Sequence, residues 1–496
     1  MRFATLFSLT AALCLPVAAQ PPNFIIILAD DLGYGDVGAF RPGADVRTPH
    51  LDRLAADGVR FTGMRANCTV CSPSRAALLT GRFPDRVGVP GVIRTAPANS
   101  WGHLAPGVPT LGDLLHPAGY HTAIIGKWHL GLEAPNVPND RGFDFFHGFL
   151  GDMMDSYTTH LRHGNNYLRR NREVITPTGH ATDLFTSWTC DHLRARAADG
   201  KPFFLYLAYN APHSPIEPPA DWLARVKERN PGLPAARAAT VALVEHMDDG
   251  IGRVLATLRE TGLERNTLVA FSSDNGGSLP HANNNDPWRD GKQSHYDGGL
   301  RVPFIVRWPG AAPGGAVSEG VVSHIDVVPT LLDYFGIPVP DLLQGRSLLA
   351  QMRDPAHRTN EAVFVEFNRF EIDHDGFGAF APIRCVFDGR RKLVINLLDT
   401  DEFYDLREDP LEMSNRISDA AGAGDRERLL DALLAWMNRT RDPLRGPHWA
   451  RRHWGSREGS TWGGPTRPRP FDEAYYPKTL LYDTGKVIDR YEYAKH

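Results

Sequence analysis

Cysteine is scarce, at 5 of 496 residues. Cys14 lies in an N-terminal leader, which leaves Cys68, Cys71, Cys190 and Cys385. Four cysteines exclude a disulfide-stapled scaffold, so a packed core has to supply stability. Cys190 and Cys385 are expected to serve as small buried apolar residues. An excess of either charge is also lacking: 54 basic against 58 acidic side chains leave a net charge of −4. That balance gives no reason to expect nucleic acid or an anionic membrane surface as partner. An anionic ligand must therefore be met by local positive groups. Beyond the leader no stretch is long and apolar enough to cross a bilayer, so no membrane span is expected. Internal repeats are missing too, which excludes solenoids and propellers.

What is present starts with the leader. Residues 1–19 read as a secretory signal, with Arg2 as the positive start, an apolar run over 3–17 and a small-residue cleavage site at Val17-Ala18-Ala19. Cys14 follows leucine rather than a small residue, which argues against a lipid anchor. The protein is expected to be secreted or periplasmic. At 42% hydrophobic and 23% charged residues, the rest has ordinary globular composition.

Short continuous apolar runs at 23–29, 122–125, 202–208, 267–271 and 302–306 carry the mark of buried parallel strands. Helical patterns lie between them: one from Thr48-Pro49 to Gly58, one behind Thr110, a long one over 235–260 and one over 324–334. Strands alternating with helices predict an α/β sandwich of helices around a mostly parallel central sheet. Near Arg353 the texture changes to short strands at 361–367, 383–387, 392–397 and 402–406, then one amphipathic helix at 425–439. The expected organisation is a signal (1–19), a large α/β domain (20–352), a small C-terminal α+β domain with an antiparallel sheet (353–440) and a tail packed on the main domain (441–496).

Chemistry concentrates at the predicted strand ends. The first strand ends in Asp30-Asp31, inside L-A-D-D-L-G-Y-G-D, and another in Asp274-Asn275, inside F-S-S-D-N-G-G. Ligand sites in open α/β sheets lie beyond the carboxyl ends of strands. Adjacent carboxylates repel, a hard divalent cation resolves the repulsion, and all-oxygen ligation favours Ca2+ or Mg2+ over zinc. Ordinary turn chemistry is the bland reading of each pair alone. A strand over 122–125 would deliver Lys127 and His129 to the same rim, two residues apart and hence on one side. His213, in Y-N-A-P-H-S-P, follows the strand at 202–208.

The stretch C-S-P-S-R-A-A-L-L-T-G-R, residues 71–82, reads as a helix capped by Ser72, with Pro73 in its first turn and Gly81 at its end. Residue 71 would then sit at a helix N-terminus, which favours an anion. An ordinary capped helix is one alternative. Cys68-Thr69-Val70-Cys71 is also a C-x-x-C, the form of a redox pair or half a zinc site.

These residues carry a family resemblance. C-x-P-S-R followed by L-T-G-R resembles the signature of the formylglycine-dependent (type I) sulfatases, in the alkaline phosphatase superfamily. G-Y-H-T-A-I-I-G-K-W-H, residues 119–129, resembles their second signature. The stretch at 285–303 resembles a third, with Trp288, Asp290 and Asp297 departing from it and Lys292 with G-G-L-R-V-P retained. Weaker matches extend the likeness from about residue 23 to 415. The resemblance implies the alkaline phosphatase-like α/β fold and sulfate-ester hydrolysis. Cys71 would be converted by a formylglycine-generating maturation enzyme into 3-oxoalanine, the nucleophile. Ca2+ would be held by Asp30, Asp31, Asp274, Asn275 and the modified residue 71, with Mg2+ the second choice. Arg75 would orient residue 71, Lys127 and Lys292 would bind sulfate, His129 would act as base, and His213 would protonate the leaving alcohol. A sulfated saccharide of galactose or fucose type, attacked from a chain end, is the implied substrate. The segment 151–170 with His103, His281, Asn284, Trp288 and Arg289 is a candidate sugar pocket. Rival readings are a phosphodiesterase or phosphonate monoester hydrolase of the same superfamily, and a non-catalytic glycan-binding protein with an unmodified Cys71.

Overall fold

The computed structural model describes residues 21–95, 103–368, 382–396 and 400–442. The expected signal and nearly all of the expected tail lie outside the described residues. A ten-stranded sheet organises the main body. At its centre Thr267–Ser273, Asn23–Ala29, Phe203–Ala208, His121–Lys127 and Phe145–Phe149 run parallel to one another in that spatial order. Alternate residues of the first strand explain its continuous apolar run. Phe24, Ile26 and Leu28 enter one core and Ile25, Ile27 and Ala29 the other, so both faces are covered. The helix Ala235–Glu260 supplies Leu243, Met247 and Ile251 to the second core.

Parallel register aligns the strand ends. Ala29 pairs with Ser273, and Leu28, Ala208 and Gly126 lie on one line across the sheet. Asp30 and Asp274 therefore leave the sheet side by side, and Lys127 leaves it one strand beyond Phe203–Ala208. Gly126 is required here: its φ is +105°, and a Cβ would lie 1.9 Å from the Ala208 carbonyl oxygen.

The helix Cys71–Thr80 differs from expectation at its start. Val70 is the N-cap, and Cys71 itself opens the first turn. Ser72 does not cap; its Oγ accepts a hydrogen bond from the Ile93 N–H at 3.0 Å. Gly81, at φ +65°, ends the helix as expected. All ten residues are buried, because the helix is covered on more than one side. Ala76, Leu78 and Leu79 pack toward the main sheet, while Ala77 meets Phe83, Leu393 and Trp436.

The last two of those belong to the C-terminal region, a four-stranded antiparallel sheet of Val363–Phe367, Ile383–Phe387, Arg391–Asn396 and Glu402–Asp405 with the helix Ala423–Thr440 against it. Two further differences are instructive. The strand Phe304–Arg307 runs antiparallel to Thr267–Ser273, not parallel. The helix Ala181–Asp199 was not expected, since its buried face mixes Thr182, Thr186 and Thr189 with Phe185 and Leu193 and blurs the apolar period.

A buried ion cluster ties the C-terminal sheet to the main body. Asp297 meets Arg65 Nη2 at 2.5 Å and Lys392 Nζ at 3.5 Å. Lys392 Nζ also lies 2.6 Å from Glu412 Oε1, and the Asp297 N–H donates to Glu412 Oε2 at 2.6 Å. Burial alone would raise the Asp297 pKa, but Arg65 and Lys392 hold it well below the carboxylate range. Removing one member strands the others in a dry site. Asp297→Asn is expected to cost about 3 kcal/mol, read as a lower urea midpoint at unchanged m; an unshifted midpoint would show the cluster to be dispensable.

Candidate active site

The strand ends and the Cys71 helix converge on one buried cluster. Arg75, inside that helix, reaches Asp274 Oδ2 through Nε at 3.0 Å and Nη2 at 2.8 Å. The same Nη2 lies 3.1 Å from Asp30 Oδ1, and Nη1 reaches the Tyr206 hydroxyl at 3.4 Å. Lys127 Nζ donates to Asp30 Oδ2 at 2.6 Å. Lys292 Nζ donates to Asp31 Oδ2 at 2.8 Å and lies 3.3 Å from His213 Nε2. His213 Nε2 is 3.5 Å from Asp31 Oδ2, and Asn275 Nδ2 donates to Asp31 Oδ1 at 2.8 Å. The Cys71 sulfur stands 3.8 Å from Asp31 Oδ1. All ten sequence-selected residues thus occur together, with His129 on the rim.

Two of them sit in left-handed backbone: Asp31 at φ +63° and His129 at φ +58°. Such conformations cost of order 1–3 kcal/mol and cluster at functional sites. His129 is fixed by a 2.7 Å hydrogen bond between Nε2 and the Ile93 carbonyl, while its buried Nδ1 has no hydrogen-bond partner among the described residues. His213 is seated by Nδ1 against the Ser214 carbonyl at 2.7 Å. The Tyr157 hydroxyl lies 2.8 Å from the carbonyls of both Asn210 and His213, bracing that loop from below.

Electrostatics divide the groups. Burial would raise the pKa of Asp30, but Lys127 and Arg75 hold it well below its ordinary value. Asp31 is likewise lowered, because Lys292 and His213 outweigh burial. Asp274 is pushed up to about 7 by burial, with Asp30 and Asp31 adding repulsion against the pull of Arg75. Burial lowers His213 to about 4 and takes His129 well below its usual range. Burial also pushes the Cys71 and Cys68 thiols up. A thiol so protonated is a poor nucleophile, which argues against the redox-pair reading of C-x-x-C.

The donor set suits a hard divalent cation. Asp30, Asp31, Cys71 and His213 each offer a ligand atom within 4.8 Å of the others. Among the described residues the buried Asn275 Oδ1 has no hydrogen-bond donor, and the buried Asp30 Oδ1 has the Arg75 ion pair at 3.1 Å but no aligned hydrogen bond. Oxygen-rich sites of this kind favour Ca2+ or Mg2+.

A cavity of about 310 Å³ opens onto the cluster, lined by Asp31, Cys71, His129, His213 and Lys292. Asp152, Met153, Arg94 and His281 also line it. Of the candidate sugar-pocket residues outside 151–170, His281 lines it. Asn284 instead holds the turn at Gly35, Trp288 packs edge-on against Tyr34 and under Arg301, and Arg289 lies over Tyr296. His103 pairs its backbone with Gly88. Arg94 stands in a stretch without a motif, so the sequence carries no signal for its place in this cavity.

Comparison with known proteins agrees with this geometry. The family described as Sulfatase matches residues 22–337. The chain belongs to the sulfatase family. It is therefore an alkaline phosphatase-like sulfuric ester hydrolase. The region described as N-sulphoglucosamine sulphohydrolase, C-terminal matches residues 287–438. Uncharacterized sulfatase YidJ of Escherichia coli is 32% identical over 94% of this chain and 96% of its own length. N-acetylgalactosamine-6-sulfatase of Sus scrofa is 35% identical over 71% of this chain and 70% of its own. The crystal structure of Ps i-CgsB in complex with k-i-k-neocarrahexaose superposes with a TM-score of 0.75 at 28% identity, covering 85% of this chain and 92% of that one.

In this sulfatase the Arg75 guanidinium reaches Asp274 through two nitrogens and Asp30 through one of them. Arg75→Lys keeps the charge but loses the fork. Sulfate-ester turnover is expected to fall at least about 100-fold with a lowered melting temperature. Turnover within about threefold of the parent would remove Arg75 from the machinery.

Proposed function

We propose that this sulfatase removes sulfate from the end of a sulfated saccharide, with residue 71 acting as formylglycine. The observation that carries the reading is the position of Cys71. It opens a buried helix, 3.8 Å from Asp31 and amid the strand-end acids and two lysines. As formylglycine, residue 71 would supply a hydrated aldehyde, whose hydroxyl is the nucleophile toward sulfur. Ca2+ held by Asp30, Asp31, Asp274, Asn275 and residue 71 would supply Lewis acidity at the sulfuryl oxygens. Oxidation calls for a maturation enzyme, and the expected leader routes the chain to the periplasm or outside the cell.

The remaining roles follow from this chain's own atoms. Lys127 and Lys292 keep positive charge beside the place of the sulfuryl group, each anchored on one acid. Arg75 locks Asp274 and Asp30 in place and so fixes the floor beneath residue 71. Nε2 of His213 is the ring nitrogen on the Lys292 side. A bound anion favours the protonated ring and opposes the burial that lowers its pKa, so His213 suits the general acid at the leaving oxygen. Burial favours the neutral ring of His129, whose Nδ1 has no partner among the described residues, so it suits the base that takes the proton from residue 71.

Support for a saccharide comes from two directions. Relatives and neighbours are named for N-acetylgalactosamine 6-sulfate and for a neocarrahexaose complex. The cavity, at about 310 Å³, lies at the small end of ligand sites, roughly 300–1,000 Å³, which favours a single terminal ring of galactose or fucose type. Matured protein incubated with galactose 6-sulfate, N-acetylgalactosamine 6-sulfate and fucose sulfates is expected to release sulfate from at least one. EGTA should suppress the release and Ca2+ restore it. Preferential turnover of phosphate diesters or phosphonate monoesters, with no sulfate released from any sugar, would replace the reading by the phosphoryl one.

A further inference from the structure

We propose that Asp152 is the saccharide-recognising group of this pocket and that Arg162 is its positioning residue; the proposal rests on the saccharide reading above. Asp152 is 5% exposed and lines the cavity that also holds Cys71, His129, His213 and Lys292. It stands outside the acidic cluster and has no part in the sulfate chemistry. A bare carboxylate there would repel an incoming sulfate ester. Arg162 removes that obstacle with a two-pronged pair, Nε to Oδ1 at 3.1 Å and Nη2 to Oδ2 at 3.2 Å.

The pairing leaves acceptor capacity. An ionised carboxylate offers about four lone-pair sites. Oδ1 accepts from Arg162 and from the Met153 N–H at 2.9 Å, whereas among the described residues Oδ2 accepts from Arg162 alone. Aryl sulfates carry no hydroxyl donor for it, but a sugar ring does. Oδ2 of Asp152 is therefore suited to accept a hydrogen bond from a free ring hydroxyl of the sulfated residue, which distinguishes a saccharide from an aryl ester.

Arg162 is itself held by local structure. It ends the strand Leu161–Arg162 of a short hairpin with Asn165–Asn166. Its Nη1 meets Asp155 Oδ1 at 3.1 Å, and Asp155 Oδ2 accepts from the His163 N–H at 2.5 Å. The hairpin thus presents the guanidinium to Asp152 at a fixed angle, and the substrate touches the aspartate rather than the arginine.

The test compares kcat/KM for N-acetylgalactosamine 6-sulfate and galactose 6-sulfate with that for p-nitrophenyl sulfate, in parent, Asp152→Asn and Arg162→Ala proteins. The ratio of the better sugar to the aryl ester is expected to fall about 100-fold in Asp152→Asn, because a neutral amide replaces the charged acceptor and can turn its NH2 group toward the hydroxyl. In Arg162→Ala it is expected to fall about tenfold, mainly through KM, and Arg162→Lys should recover part of it. A ratio within about twofold of the parent in Asp152→Asn, whether both activities persist or fall together, would overturn the proposal. A parent enzyme that hydrolyses the aryl sulfate but no sugar sulfate would instead overturn the saccharide reading on which the proposal rests.

Discussion

The compensation of buried acids at adjoining strand ends is the constraint on which the rest depends. Parallel register sets Asp30, Asp31 and Asp274 together where side chains are almost wholly removed from water. Two unit charges 4 Å apart interact by about 4 kcal/mol even at an effective dielectric of 20. Three cations answer the three acids: Arg75, Lys127 and Lys292. Each comes from a different segment, so the helix of Cys71, the His121–Lys127 strand and the loop at Lys292 must all be in place before the site is neutral. Asp274 is held by Arg75, yet burial and the repulsion of Asp30 and Asp31 push it up to about 7. A divalent cation at that point would complete the compensation and leave the surplus positive charge that a sulfate ester needs.

Backbone geometry serves the same end. Gly126 lets the His121–Lys127 strand press against Ala208, and Gly148 repeats the device one strand further out, with a Cβ position 1.9 Å from the Gly126 carbonyl oxygen. Close approach keeps the strand ends level. The left-handed turns at Asp31 and His129 then redirect side chains that a regular strand end would leave elsewhere. The C-terminal sheet contributes at a distance. Its core packs on Ala77 of the Cys71 helix, and Lys392 joins the Asp297 ion cluster. Asp297, a departure from the family pattern, is placed in that junction rather than against the cavity.

Much of the site was legible because its residues sit at strand ends or in dense motifs. Asn23–Ala29 and Ala235–Glu260 form with the bounds their apolar patterns predict. Ser72 has the residue type of a cap, but the Ile93 N–H, distant in sequence, claims its hydroxyl. The direction of Phe304–Arg307 could not be read from an apolar run, which looks the same either way. Trp288 and Arg289 resembled sugar-binding residues by type alone, yet tertiary packing uses them against Tyr34 and Tyr296. Arg94 and the Asp152–Arg162 pair depend on loops meeting in space, which composition does not encode.

Residue 71, in the function proposed above, acts as formylglycine rather than as a thiol. Burial among acids raises the Cys71 pKa and leaves the thiol a poor nucleophile. The most direct measurement is the mass of the proteolytic peptide containing residue 71, from protein produced together with a formylglycine-generating enzyme. A loss of about 18 mass units relative to cysteine, the change expected when the side chain becomes an aldehyde nucleophile precursor, is the result predicted. An unmodified cysteine in protein that still hydrolyses sulfate esters would contradict it.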